Sequence, residues 1–384
     1  MSSNKRPRLD DKPAVTPPPP PGSFDVTVVG SGVSTGVPMM NHILQGFCPN
    51  RHLYRKSDRR SVCEEALEPG SKNARSNVSI LVRYMPAADP SDGAAPSTQP
   101  YLLMVDAGKT MRPACLNTFP KLGAMTIDAL LLTHDHADAI FGLDDLRDLQ
   151  QHEEVTEPET GKLIGYRIKG SGGAMRIVSN RATLQRARLA FPYLAAPADY
   201  VAPGLLRRRV AHFKWEQIPH DNASLQFAGL GVRCFPVYHG GTYISLGFAF
   251  GAAADGSRPL VYISDVKSLP EGSRSWLLAR PIGVLIVDLL RRADHTTHFS
   301  FDEAVDFVKL VRPAKAFFVG MASCEVGDHD EVNTELRAIC DADDGTPTLD
   351  MQLAYDGLTL APMPTVGADL DECRQCEPCA PEGY

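Results

Sequence analysis

Nothing in the 384-residue chain reaches the run of about 18 apolar residues that a membrane-crossing helix needs, so no span is expected. Positive charge is not in excess either. The formal net charge is −7 and no sustained basic stripe offsets it, which argues against a general nucleic-acid binder. The N-terminus lacks an apolar signal-like segment, being polar and basic instead. The nine cysteines are an odd and unevenly spread set, which does not read as a disulfide framework. A reducing compartment, with thiols free or on metal, fits better, and a cytoplasmic location is expected. No internal repeat at a fixed period is present, which excludes solenoid and propeller arrays.

What is present is an ordinary globular composition, 43% hydrophobic and 22% charged, long enough for one large α/β domain or two small ones. Residues 1–22 hold a basic tetrad, Lys5-Arg6-Pro7-Arg8, and five prolines, Pro17 to Pro21. They read as a disordered tail, although the tetrad also has the form of a nuclear address. Residues 365–384, with Cys373, Cys376 and Cys379, read as a flexible cysteine-rich tail in which three thiolates could chelate a metal. The folded domain is expected over 23–364.

Inside that domain, "FDVTVVGSG", "NVSILVRY", "YLLMVDAG" and "IDALLLTH" read as strands. The last two are continuous apolar runs ending in polar residues, as strands buried on both faces do. "VRCFPVYHG", "ISLGFAFG", "PLVYISDV", "IGVLIVDLL", "KAFFVG" and "DGLTLAP" complete the strand set. "GLDDLRDLQ" and "ATLQRARLAFPYL" look helical, and residues 152–174 look like a hairpin or loop. "SFDEAVDFVKLVRP" opens with Ser300 three residues before Glu303, a capping box that starts a helix. Strands alternating with helices indicate a layered α/β fold.

The most informative stretch is "LLLTHDHADAIFGLDDLR". An apolar strand delivers His134, His136 and Asp138 at alternate positions directly after it, and an extended continuation would place all three on one side. Imidazole and carboxylate suit zinc or a similar transition metal. A His-x-His pair alone is a weak signal. Two further strands, however, end in His239 and Asp265, so three strand ends are tipped with ligand-type residues.

At this point the chain resembles the metallo-β-lactamase superfamily, and within it the branch of phosphoribosyl cyclic phosphodiesterases. The matching pieces are "GSGVSTGVP", "DAGKTMR", "THDHADAIFGLDDLR", "PVYHG", "YISDV", "HTTHFSFDEAV" and "YDGLTL", in order from about residue 24 to 361. The resemblance implies an αββα sandwich of two mixed sheets with helices outside. It implies that His134, His136 and His239 hold a first metal, with Asp138 serving a second and Asp265 bridging. Two positions depart from the pattern. Ala139 stands where the family's HxHxDH ends in His, and Gly320 stands where the family has a His after its last strand. Asp138 and Asp265 alone are a thin second site, so one tightly held ion is expected, zinc or alternatively manganese. His329 reads either as a replacement ligand or as an exposed loop histidine.

The implied chemistry is hydrolysis of a phosphoester in a small-molecule substrate, with Asp138 and Asp265 orienting a water or accepting its proton. His298 is expected as general acid, with His295 second; both could instead simply bond the loop and helix start. Lys109, Arg112 and Arg147 are candidate anion contacts or surface salt partners. Asp106 is expected to orient a ligand histidine. The resemblance also implies a structural zinc site, for which Cys48, Cys63 and Cys324 are the candidates, buried thiols being the alternative. An acyl or thioester hydrolase, and a metal-binding scaffold that has lost catalysis, are the competing functions. A homodimer is left open.

Overall fold

The structure, a computed structural model, describes residues 14–46, 48, 60–87, 97–168, 174–196, 200–218, 223–251 and 258–365. The basic tetrad and the terminal cysteines therefore lie outside the described residues. Two seven-stranded mixed sheets form the centre. Across the first, the order is Phe213–Gln217, Met175–Ser179, Ala129–Leu131, Tyr101–Val105, Ser79–Met85, Ser23–Gly30 and Thr359–Pro364. Across the second it is Ser224–Phe227, Leu230–Tyr238, Ile244–Phe250, Leu260–Ile263, Val284–Asp288, Lys315–Val319 and Met351–Leu353.

Alternation along the strands builds three cores. Val26, Ile80, Val82 and Leu103 of the first sheet meet Val232, Phe248, Tyr262 and Ile286 of the second in the layer between the sheets. The intervening residues, Leu81, Met104 and Leu130, face outward and pack with Met111, Ala114 and Phe119 of the helix Met111–Leu122 and with Leu184 and Ala187 of Arg181–Ala190. Leu285, Val287 and Phe318 face the other way, onto the helices Glu271–Leu278, Phe301–Val311 and His329–Ala342. The result is the αββα sandwich. Ser300 caps its helix as expected, its hydroxyl accepting from Glu303 N–H while the Glu303 carboxylate accepts from Ser300 N–H.

"GLDDLRDLQ" is helical as expected, in 3-10 form over Leu143–Leu149, and of the two readings of 152–174 the hairpin holds, His152–Thr156 pairing antiparallel with Leu163–Ile168. One expectation changes. Residues 14–22 are not a loose tail. Thr16 N–H donates to Lys121 O, and the carbonyls of Thr16 and Pro17 accept from the buried Arg83 guanidinium. Proline-rich backbone has carbonyls to spare, and a buried guanidinium needs acceptors. Among the described residues no helix is long and apolar enough to cross a membrane.

Candidate metal centre

The strand ends of both sheets converge at one edge, where Leu246 N–H donates to Thr133 O and ties the sheets together. His134 leaves the strand Ala129–Leu131 two residues after Leu132 and is buried. Asp138 does not arrive by extended chain, as expected, but on a helical turn, Ala137–Ile140, so that His134 and Asp138 stand four residues apart with His134 Nε2 3.9 Å from Asp138 Oδ1. Turning the chain there lets Ala139 pack into the apolar layer under the first sheet and Ala107 N–H donate to Ala139 O. His136 is exposed and its ring stacks on Tyr243, centroids 5.2 Å apart and planes 16° from parallel.

The ligand-type nitrogens of His134, His136 and His239 lie within 4.8 Å of one another, as do those of His239 and His298 with an oxygen of Asp265. Asp265, buried, adopts φ +49°, and Asp106 adopts φ +60°. Both are left-handed conformations that a non-glycine residue holds only under outside constraint, and they flank the cluster.

Each ring is oriented from behind. Asp106 accepts from Thr133 N–H and from the Thr133 hydroxyl, both at 2.8 Å, so that hydroxyl has only lone pairs left for His134 Nδ1, also 2.8 Å away. His134 Nδ1 is thus the protonated nitrogen, and its Nε2 is buried with no hydrogen-bond partner. Asp106 is the orienting residue expected from sequence. His239 Nδ1 donates to Thr297 O at 2.9 Å, and His298 Nδ1 donates to Asp288 Oδ2 at 2.7 Å.

The electrostatics of the cluster suit a cation. Burial lowers His134 to about 4, outweighing the attraction of Asp265, so its ring is neutral. Burial, followed by repulsion from Asp265, raises Asp138 to about 7. Asp265 is held below the usual carboxylate range: burial opposes its charge, but attraction to the ring of imidazoles around it outweighs that cost. For His298, burial alone would lower the pKa, but the Asp288 carboxylate lifts it to about 9. A neutral His134 beside buried carboxylates, its Nε2 buried without a hydrogen-bond partner, fits a divalent N/O-bound ion.

The remaining candidates divide. Lys109 follows Gly108, whose Cα is packed against the Asp138 carbonyl with no room for a side chain, and its ammonium stabilises the Asp138 carboxylate. Arg112 donates to Asp145 at 2.8 Å and Asp148 at 3.4 Å, and Arg147 to Asp144 at 2.9 Å, so both are engaged in surface ion pairs. His295 lies 5.3 Å from His298 between ring centroids, its Nδ1 accepting from the Thr297 hydroxyl. His329 is not an exposed loop residue, and among the described residues it joins no metal-type donor group. It is buried at the start of its helix, where its N–H donates to Asn73 Oδ1.

Tyr243 and Asp288 were missed. The Tyr243 hydroxyl donates to Asp135 while its ring backs His136. The cysteine candidates also regroup. Cys63 and Cys324 cluster with His42, not with Cys48, which is buried in the same small apolar cluster but outside the donor group. His42 Nδ1 is 3.3 Å from Cys63 Sγ and 3.1 Å from Ser323 Oγ. Cys48 follows the helix Met40–Leu44 that carries His42, and the helix geometry, invisible in cysteine spacing, selects the histidine. None of the six described cysteines is in a disulfide.

Residues 102–321 match the family model described as the beta-lactamase superfamily domain. The chain is 25% identical over 212 residues to the octanoyltransferase of Porphyromonas gingivalis, covering 54% of this chain and 35% of that protein. It therefore spans about a third of that relative's length. A diphosphatase from the PhnP family superposes with a TM-score of 0.58 at 24% identity, covering 89% of this chain and 97% of that one. Zn(2+)-bound PqqB from Methylobacterium extorquens superposes at 0.54 with 16% identity, covering 88% and 99%. At these identities the likenesses establish the fold.

Proposed function

The chain belongs to the beta-lactamase superfamily, whose members are mostly hydrolytic enzymes, and on that premise we propose that it is a metal-dependent phosphodiesterase acting on a small phosphorylated compound. The observation that carries this reading is the bare, buried Nε2 of His134, facing His136, His239 and two carboxylates at an edge left open by the exposed His136. A divalent ion bound there supplies Lewis-acid chemistry, lowering the pKa of a water to about 7 and polarising the bond under attack.

The protein's own groups divide the remaining work. Asp138, with a proton affinity near neutrality, accepts the proton of the attacking water. Lys109 sits beside Asp138 as the cation for a phosphoryl oxygen, a role a neutral acyl substrate would not need. The leaving oxygen takes its proton from an imidazole of the 295–298 segment. Asp106, through Thr133, keeps His134 in the one tautomer that presents Nε2. Zinc and manganese both suit the site, since each accepts imidazole with carboxylate.

The test is turnover of bis-p-nitrophenyl phosphate alongside metal content, for wild type and His136→Ala. Wild type is expected to hold metal and turn over, and both properties should fall in the variant or after chelator treatment. Metal without turnover would reject the phosphodiester in favour of an acyl bond or a non-catalytic scaffold. Folded protein that takes up no metal would reject the whole reading.

A further inference from the structure

We propose that His298 is a metal ligand, and that with Asp138 and Asp265 it rebuilds a second cation position that Ala139 and Gly320 would otherwise leave without an imidazole. This rests on the proposed function, because it concerns the same cleft. It departs from the expectation that His298 donates a proton and that a single ion is held.

Three observations carry it. The first is presentation. His134 and His239 each have Nδ1 tied to an oxygen behind the ring, Thr133 Oγ1 at 2.8 Å and Thr297 O at 2.9 Å, which leaves Nε2 to face the cleft. His298 has the same arrangement, with Nδ1 on Asp288 Oδ2 at 2.7 Å. A buried carboxylate behind an imidazole fixes its tautomer and raises its basicity as a ligand. The second is position. The Nε2 atoms of His134, His239 and His298 each stand 3.9 Å from the same atom, Asp265 Oδ1. One carboxylate oxygen is thus equidistant from the imidazoles of both donor groups, His134 of the first and His298 of the second, with His239 common to the two. His239, Asp265 and His298 bring two nitrogens and an oxygen within 4.8 Å of one another, and Asp138 Oδ1 stands 3.9 Å from His134 Nε2 beside them, so an N/O donor set exists on the His298 side.

The third observation explains the glycine. Gly320 has φ +76°, and a Cβ built on it would run into Asp288 Oδ1. Asp288 is fully buried, and its Oδ1 has no hydrogen-bond partner. The carboxylate that holds His298 therefore fills the space in which a side chain at 320 would begin. Position 320 cannot offer an imidazole while Asp288 is there, and Asp288 is there to aim His298. The missing ligand and the new one are two faces of one exchange. His295, only partly buried and with Nδ1 occupied by Thr297, is then the residue that protonates the leaving group.

Manganese(II) is the appropriate probe, since the thiols of Cys63 and Cys324 compete for it poorly. Metal-free protein is titrated with Mn(II), and bound equivalents are counted from the loss of the free-ion electron paramagnetic resonance signal. Wild type should bind two equivalents, His298→Ala one, and His295→Gln two with a reduced kcat. Asp288→Asn, which keeps the imidazole but loosens its hold, should weaken only the second equivalent, by about 10- to 100-fold in Kd. Circular dichroism melts verify folding. Two equivalents in His298→Ala with turnover lost would make His298 the proton donor and overturn the proposal. One equivalent in wild type would also overturn it while leaving the hydrolase reading standing. Only wild type that binds none would remove both.

Discussion

The first sheet delivers its donors together, His134, His136 and Asp138 on one turn after one strand, whereas the second delivers one residue per strand end. His239 follows the strand Leu230–Tyr238, Asp265 follows Leu260–Ile263, Asp288 ends Val284–Asp288 and Gly320 follows Lys315–Val319. The contiguous half is a local motif whose geometry depends on a single turn and on Asp106 behind it. The distributed half depends on the parallel register of adjacent strands, which aligns Ile263 with Val287 and Asp288 with Val319. A site assembled this way changes one position at a time on its distributed side. This chain departs from the family pattern once in each half, at Ala139 in the contiguous one and at Gly320 in the distributed one, where Asp288 holds His298.

The comparison is broken most severely by removing one imidazole from each half. His134→Ala and His239→Ala are each expected to lower kcat/KM by about 10^3-fold or more, because several kcal/mol of Lewis-acid stabilisation goes with the ion. Equal losses in both variants, with parallel loss of bound metal, would show the halves to be interdependent. Retention of metal in His239→Ala would show that the local motif suffices and the second sheet only closes the site.

The same asymmetry decides how much was legible in the sequence. Apolar runs ending in His or Asp marked His134, His136, His239 and Asp265 because buried strands must finish at a polar edge. Asp288 has that signature too, in "LIVDLL" beside "LMVDAG" and "YISDV", but reads as strand until His298 is seen to bond it. Tyr243 and His42 carry no such mark. One acts through a ring stack and the other through a helix that happens to face Cys63. The helix Met111–Leu122 was missed because two prolines, Pro113 and Pro120, interrupt its pattern.

Stability sharpens the contrast next. The first sheet encloses an ion pair, Arg83 with Asp25, bonded at 2.9 and 2.6 Å and almost wholly buried. The layers against the second sheet are built from Phe318, Leu285 and their apolar neighbours. Arg83→Met should cost about 3–5 kcal/mol, read from the urea midpoint, since it leaves Asp25 buried without its partner. Pairing it with Asp25→Leu should recover most of that loss. If it does not, the carbonyls of Thr16, Pro17 and Leu122, which also accept from Arg83, are the larger part of its role.

The smallest expected effect lies at the first sheet's edge, where Arg176 grips Glu216 at 2.7 to 3.1 Å and Lys214 adds a contact at 2.8 Å. Burial works against the Glu216 charge, but these cations outweigh it and hold the carboxyl below its ordinary range. A carboxyl depressed in the folded state contributes stability above its unfolded pKa and loses that contribution as pH falls through the folded one. Because Arg176 and Lys214 are partly in solvent, Glu216→Gln should cost only about 1 kcal/mol at neutral pH. The difference from wild type should shrink as pH drops below about 4.5 and vanish once the folded carboxyl protonates. A gap between the two proteins that stays constant with pH would assign the loss to packing at the sheet edge. In that case the first sheet would rely on charge only at its buried centre, where Arg83 meets Asp25.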